Sequence, residues 1–257
     1  MKTKIFYFLI ASLFVLSSCS GDTDGRDIEP IKDIKTEPKK EDQVLLRKMI
    51  QTHEDGTVDI LNYKYDGNKI ISAIDSNEEG GVYWIYNQDL ITKMIIKLAD
   101  ETILQENTYT YDANKKLSIF LRVDPELKEG YKEVYTYNAD NTITVKAYSG
   151  DDKSQTVFQG TSVITIIGGE VSKIDSNYSP SFVYTYDTKY NPHRNILGLD
   201  KTSFADGEAS GNVHNIISQK VGDGVTKTSK ITYNADGYPA KSFDNFEDAG
   251  TTTEYFY

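Results

Sequence analysis

The sequence predicts an all-β protein: a long antiparallel meander of repeated hairpins, forming a strongly curved single sheet or an open barrel. Three observations carry this. Tyr63-Lys64-Tyr65-Asp66, Tyr109-Thr110-Tyr111-Asp112, Tyr135-Thr136-Tyr137-Asn138 and Tyr184-Thr185-Tyr186-Asp187 repeat one pattern, with looser copies at Ile85-Tyr86-Asn87 and Ile231-Thr232-Tyr233-Asn234. Side chains alternate along a strand, so Tyr-x-Tyr places both rings on one face, and the Asp or Asn that follows opens a turn. The segments after the turns, such as Lys69 to Ile74 and Lys116 to Phe120, are rich in branched and aromatic residues and carry no helical stripe.

Taken in chain order, the first element is an export signal. Lys2 and Lys4 precede an apolar run from Ile5 to Leu16, which Leu16-Ser17-Ser18-Cys19 closes. That run is too short to cross a bilayer, which needs about 20 residues, so residues 1–18 read as a cleaved leader. They resemble a bacterial lipoprotein signal with its lipobox, which makes Cys19 the lipidated first residue. Cys19 is the only cysteine, so the mature chain has no disulfide even though it is exported.

Residues 19–42 are charged and contain Pro30 and Pro38. Such a segment buries too little apolar surface to offset its ordering entropy, and it reads as a flexible tether with a reach of roughly 25–30 Å. Ser20 after the cysteine resembles outer-membrane sorting, and the acidic residues close behind it resemble the export signals of surface lipoproteins. The localisation expected is therefore an outer-membrane lipoprotein facing the cell surface or the periplasm.

Residues 43–257 form the β domain. Its opening hairpin runs from Arg47 to Thr52 and from Thr57 to Leu61 around His53-Glu54-Asp55-Gly56. The second tyrosines of the repeat then fall at 65, 86, 111, 137, 186, 233 and 257, in steps of 21, 25, 26, 49, 47 and 24 residues. Short steps fit one hairpin with its connection, and a period of this size marks stacked or wrapped units. Each long step is about double, which predicts a degenerate unit near Val163–Ile166 and another near Val213–Ile217. At roughly 12 residues per strand and turn, the domain holds about 16 to 18 strands.

Composition narrows the partners. The net charge is −11, and removing Lys2 and Lys4 with the leader leaves −13. A nucleic-acid ligand is not expected, because phosphate recognition needs a basic face. An acidic domain is repelled by anionic lipid, so membrane contact is expected through the acyl anchor only.

Chemistry-bearing motifs are sparse. His53, His193 and His214 are scattered, and His53-Glu54 lacks the second histidine of a metalloprotease helix. Gly222-Asp223-Gly224 is not a dinucleotide fingerprint, and no nucleophile elbow or phosphate loop occurs. No catalytic residue, metal or cofactor is assigned, and the chain is read as non-enzymatic.

Candidate ligand-binding residues are Tyr83 and Trp84, whose rings could stack on sugars, and Tyr190, His193 and Arg194, which lie where the repeat breaks. The remaining tyrosines read as cross-strand pairs that stabilise the sheet. A transmembrane barrel, suggested by the terminal Tyr255-Phe256-Tyr257, fits less well: its aromatics would form two girdles around an apolar outer band.

Residues 109–114 and 135–140 resemble the YD repeats of the RHS family, although the chain is too short for an RHS shell. The lipoprotein signal, the opening strand pair from Leu45 to Tyr65 and the segment from Tyr184 to His193 resemble an uncharacterised family of Bacteroidetes lipoproteins with a porin-like open-barrel sheet. This likeness covers about residues 44–257. It implies the fold and no activity. One departure is Pro192-His193, where the resemblance leads one to expect Pro followed by Phe. The function expected is a lipid-anchored envelope module that binds a protein or glycan partner or serves a structural purpose. The alternative is a carbohydrate-binding protein, with a glycan-active enzyme behind it.

Overall fold

The computed structural model describes residues 43–77, 79–246 and 250–257; the leader, Cys19 and the tether lie outside the described residues. Sixteen strands follow one another as a meander. They are β1 (Lys48–His53), β2 (Val58–Asp66), β3 (Lys69–Asp75), β4 (Gly80–Asn87), β5 (Leu90–Leu98), β6 (Ile103–Tyr111), β7 (Leu117–Asp124) and β8 (Glu129–Tyr137). The second half contains β9 (Thr142–Asp151), β10 (Gln155–Ile167), β11 (Glu170–Ser176), β12 (Phe182–Tyr186), β13 (Ile216–Val221), β14 (Thr226–Tyr233), β15 (Pro239–Asp244) and β16 (Thr251–Phe256). One 3₁₀ turn at Leu199–Lys201 is the only helical element among the described residues.

The predicted meander is present, and it closes into a barrel. β1 pairs antiparallel with β16, from Lys48↔Phe256 to His53↔Thr251, so the sheet has no free edge.

The repeat has a clear physical basis. The tight turns are built as the Asp and Asn positions predict: Asp112 Oδ1 accepts the backbone N–H of Asn114 at 2.8 Å and of Lys116 at 2.9 Å. A register shift precedes the second aromatic of the pattern in hairpin after hairpin, at Tyr65, Tyr86, Tyr111, Tyr186 and Tyr233. Such a bulge re-aims the side chain. The re-aimed phenol then ties its strand to the start of the strand before it: Tyr111 Oη donates to the Ile91 carbonyl at 2.6 Å and Tyr186 Oη to that of Val171 at 2.8 Å. Tyr65 Oη does the same to Leu46 at 2.8 Å.

Of the two degenerate units expected, one exists. β10 bulges at Ile166, which stands where a tyrosine would, and β11 and β12 complete the unit at Tyr186. The second does not exist. The step from Tyr186 to Tyr233 holds a single hairpin, β13 and β14, and its extra length is the connection 187–215. The apolar residues near Val213 end that connection and do not form a strand pair of their own.

Alternation sorts the wall into two faces. On β8, Tyr131, Glu133 and Tyr135 point inward while Lys132, Val134 and Thr136 point out, and on β9 the inward residues are Ile143, Val145 and Ala147. The interior packs aromatic and aliphatic side chains, with Phe120 and Leu117 fully buried and Tyr109 against Phe120 at 5.5 Å, and polar ones such as Gln105, Asn107 and Glu133 are buried with them. Burying one such side chain is worth about 1.5–3 kcal/mol. The exterior carries lysine and threonine, with ion pairs such as Lys241–Glu254 at 2.7 Å.

Sixteen strands would ordinarily enclose an aqueous channel. Here the connection 187–215 enters the bore from the tight-turn end as a plug. Leu197 N–H bonds to the Asn68 carbonyl at 2.9 Å, and Asn195 Nδ2 bonds to the Val44 carbonyl and to Tyr238 Oη, each at 2.9 Å. Deeper in, Phe204 and Ala209 join the main core, where Phe204 meets Tyr135 edge-on at 5.7 Å. The Glu170 carboxylate secures the plug's exit by accepting the N–H groups of Asn212 (3.1 Å), Val213 (2.8 Å) and His214 (2.7 Å).

Candidate ligand-binding sites

A groove of about 440 Å³ crosses the outer wall at the rim opposite the plugged end. Its residues come from separate elements: Asn62 and Lys64 from β2, Asp75 and Ser76 at the end of β3, Tyr83 from β4 and Glu101 after β5. It opens because β3 and β4 stay paired over only Ser72↔Tyr83, Ala73↔Val82 and Ile74↔Gly81 and then part. The glycine at 81 permits that close pairing, since a Cβ there would lie 2.9 Å from the Ala73 carbonyl oxygen.

The groove's polar groups are organised. Asn62 Nδ2 donates to Ser76 Oγ at 2.8 Å, and Asp75 Oδ1 accepts the Asn77 N–H at 2.6 Å. Lys97 Nζ sits 4.4 Å from the centroid of the Tyr83 ring and pairs with Glu101, which fixes the phenol on the wall.

The five residues singled out from sequence fall in three places. Tyr83 lines the groove, but Trp84, its neighbour along the strand, faces the interior and packs with Ile70, Tyr86 and Leu199. The two rings therefore do not form one platform. Tyr190 is exposed at the plugged end, covered on one face by the Arg194 guanidinium at 4.1 Å and beside Tyr238 at 5.2 Å. His193 is buried, 5.9 Å from the Tyr63 ring, in the place of the phenylalanine that the resemblance implied. Burial pushes its imidazole down to about 4, so it behaves as a neutral aromatic filler.

Sequence reasoning missed a cluster inside the bore. Glu133 is 1% exposed and accepts hydrogen bonds from Tyr131 Oη at 2.9 Å, from Tyr135 Oη and from the backbone N–H of Asp206 at 2.9 Å. Arg122 Nη1 contacts both Asp206 carboxylate oxygens at 2.7 Å, and Tyr131 Oη meets Tyr178 Oη at 3.0 Å. Burial pushes the Glu133 carboxyl up to about 7, against the pull of the Tyr135 hydrogen bond. A carboxyl poised near neutrality often marks a reaction centre. This one is sealed, and its oxygens are taken by two phenols and the plug, so its task is to hold the plug. The signal was present in sequence: Tyr131-x-Glu133-x-Tyr135 puts a carboxylate on the same face as the core rings.

No group of three or more His, Cys, Asp or Glu side chains able to hold a metal occurs among the described residues.

No protein-family profile matches the chain, and no curated protein matches it in sequence. Solved structures do match in fold. A porin-like protein from Bacteroides vulgatus ATCC 8482 aligns with a TM-score of 0.52 at 11% identity, covering 84% of this chain and 99% of that one. A porin-like protein from Bacteroides uniformis ATCC 8492 aligns with a TM-score of 0.50 at 11% identity, covering 82% and 97%. The all-β antiparallel barrel is thus a fold shared with porin-like proteins of Bacteroides.

Proposed function

We propose that this chain is a lipid-anchored protein of the cell envelope whose barrel stands in water as a rigid, non-enzymatic binding or structural module of the YD-repeat type. The observation that carries the reading is the orientation of the wall. Lys93, Lys132, Lys146 and Lys230 lie near the middle of their strands and on the outer face. At the midplane of a bilayer each would cost about 2–4 kcal/mol. The repeat tyrosines are instead turned inward, with Phe158, Tyr190, Phe243 and Phe256 exposed, and the plug occupies the bore.

The likeness to porin-like proteins of Bacteroides supports an envelope location, and the lipobox-like Leu16-Ser17-Ser18-Cys19 supports the anchor. A tether reaching residue 43 would arrive at the plugged end, where Val44 bonds Asn195. The groove lies at the rim opposite that end.

The test is incorporation of labelled palmitate into the full-length chain with fractionation of the cells. Loss of label and release from the membrane in Cys19→Ala is the expected result. A Cys19→Ala chain that stays in the membrane through salt and carbonate washes contradicts the proposal.

A second reading, carbohydrate binding, is favoured by the groove with its one fixed aromatic and several hydrogen-bonding groups. A glycan-active enzyme would need two free carboxylates facing each other. Glu101 is taken by Lys97, and Asp75 accepts the Asn77 N–H.

A further inference from the structure

We infer that the groove at Tyr83 is a binding site for an uncharged saccharide, an inference that rests on the binding-module reading above. Its size falls in the roughly 300–1,000 Å³ range of small-molecule sites.

Its chemistry selects the ligand class. Glu101 is paired with Lys97, Lys64 and Asp75 bring one charge of each sign, and the amide of Asn62 and the hydroxyl of Ser76 can donate and accept. Charges of both signs disfavour an anionic or a cationic ligand, while alternating donors and acceptors match the hydroxyls of a sugar. Tyr83 supplies the apolar contact that the C–H face of a pyranose needs, and Lys97 holds its ring so that little rotamer freedom is lost on binding.

The exposed aromatics Phe158, Tyr190, Phe243 and Phe256 lie outside the groove. Tyr190 packs against Tyr238 at the plugged end. Phe158 lies against Tyr148 at 5.5 Å on the β9–β10 hairpin, outside the groove.

The experiment is a titration of the full-length chain in mild detergent with neutral oligosaccharides of the glucan, mannan and xylan series, beside polygalacturonate and heparin as charged counterparts. The expected result is binding of at least one neutral series, weakened about tenfold or more in Tyr83→Ala and in Asn62→Ala, a step of about 1.4 kcal/mol. Tyr83→Phe keeps the affinity, since the ring remains. Both positions face outward, and unchanged melting temperatures confirm that the fold is intact. Binding of the charged polymers alone, of no saccharide, or of a neutral saccharide with undiminished affinity in Tyr83→Ala overturns the inference. If affinity falls in Tyr190→Ala and not in Tyr83→Ala, the groove is wrong while the binding-module reading stands.

Discussion

Tyr111 Oη at the end of β6 donates to the carbonyl of Ile91 at the start of β5, the strand before it, at 2.6 Å. Tyr65 and Tyr186 repeat the relationship, and Tyr86 varies it by accepting from the Ile70 N–H at 3.3 Å while donating to Leu197 of the plug at 3.0 Å. Burial pushes the Tyr86 phenol up to about 12 and raises Tyr111 as well, so these clasps stay protonated through the physiological range. The second tyrosine of the repeat is therefore a strap between neighbouring strands as well as core filling. Tyr111→Phe is expected to lower stability by about 1–3 kcal/mol, because a buried carbonyl loses its donor. Thr110→Val, one residue away on the outer face, is expected to change it by no more than about 0.5 kcal/mol. Urea unfolding of both variants checks the contrast.

Glu133 and His193 give the barrel opposing responses to pH. The carboxyl of Glu133 is raised from 4.5 to about 7 in the fold, so the folded state holds its proton longer than the unfolded one. Its contribution declines as pH rises through that window, by an amount on the order of 3 kcal/mol. His193 is lowered from 6.5 to about 4, so the unfolded state takes up the proton first and stability declines as pH falls from 6.5. Between about pH 5 and 6.5 the two slopes cancel. Glu133→Gln should uncover a stability that rises with pH in this window, and His193→Phe one that falls with pH. Denaturant midpoints at half-unit pH steps read both, and parallel profiles for the two variants would refute the pairing.

The plug depends on Glu170. Its carboxylate takes three successive backbone N–H groups, at 212, 213 and 214, and it is 5% exposed. Glu170→Ala strands those donors and is expected to cost about 2–4 kcal/mol. The loss should appear first as faster amide hydrogen exchange at Asn212, Val213 and His214, with the amides of β8 and β9 still protected. Equal acceleration throughout the barrel would mean that plug and wall unfold as one unit.

Fold class, strand number and the opening hairpin were legible because alternation and Asx turns are local and repeat along the chain. Closure was not, since it depends on β1 meeting β16 across the whole sequence. The connection 187–215 was misread in part because its apolar residues have no period. Ile196, Phe204 and Ala209 are buried by contacts with distant strands, and only their surroundings identify them as core. The groove was half legible. Tyr83 stood out as an aromatic beside the only tryptophan, but Asn62, Ser76 and Glu101 join it from elements well apart in sequence. Trp84 was named with it as the only tryptophan, but neighbouring residues on a strand face opposite ways.

The central claim is that the outer wall of the barrel is in water and its inner face is sealed. It is tested most directly by placing a cysteine at Lys146, which faces out on β9, or at Val145, which faces in. Each full-length variant is labelled with a membrane-impermeant maleimide in membranes broken open so that both faces are reachable, and scored above the parent chain. Lys146→Cys is expected to label rapidly before any detergent is added, and Val145→Cys only after unfolding. A Lys146→Cys chain that is protected in the membrane and becomes reactive on solubilisation would place the wall in lipid and contradict it.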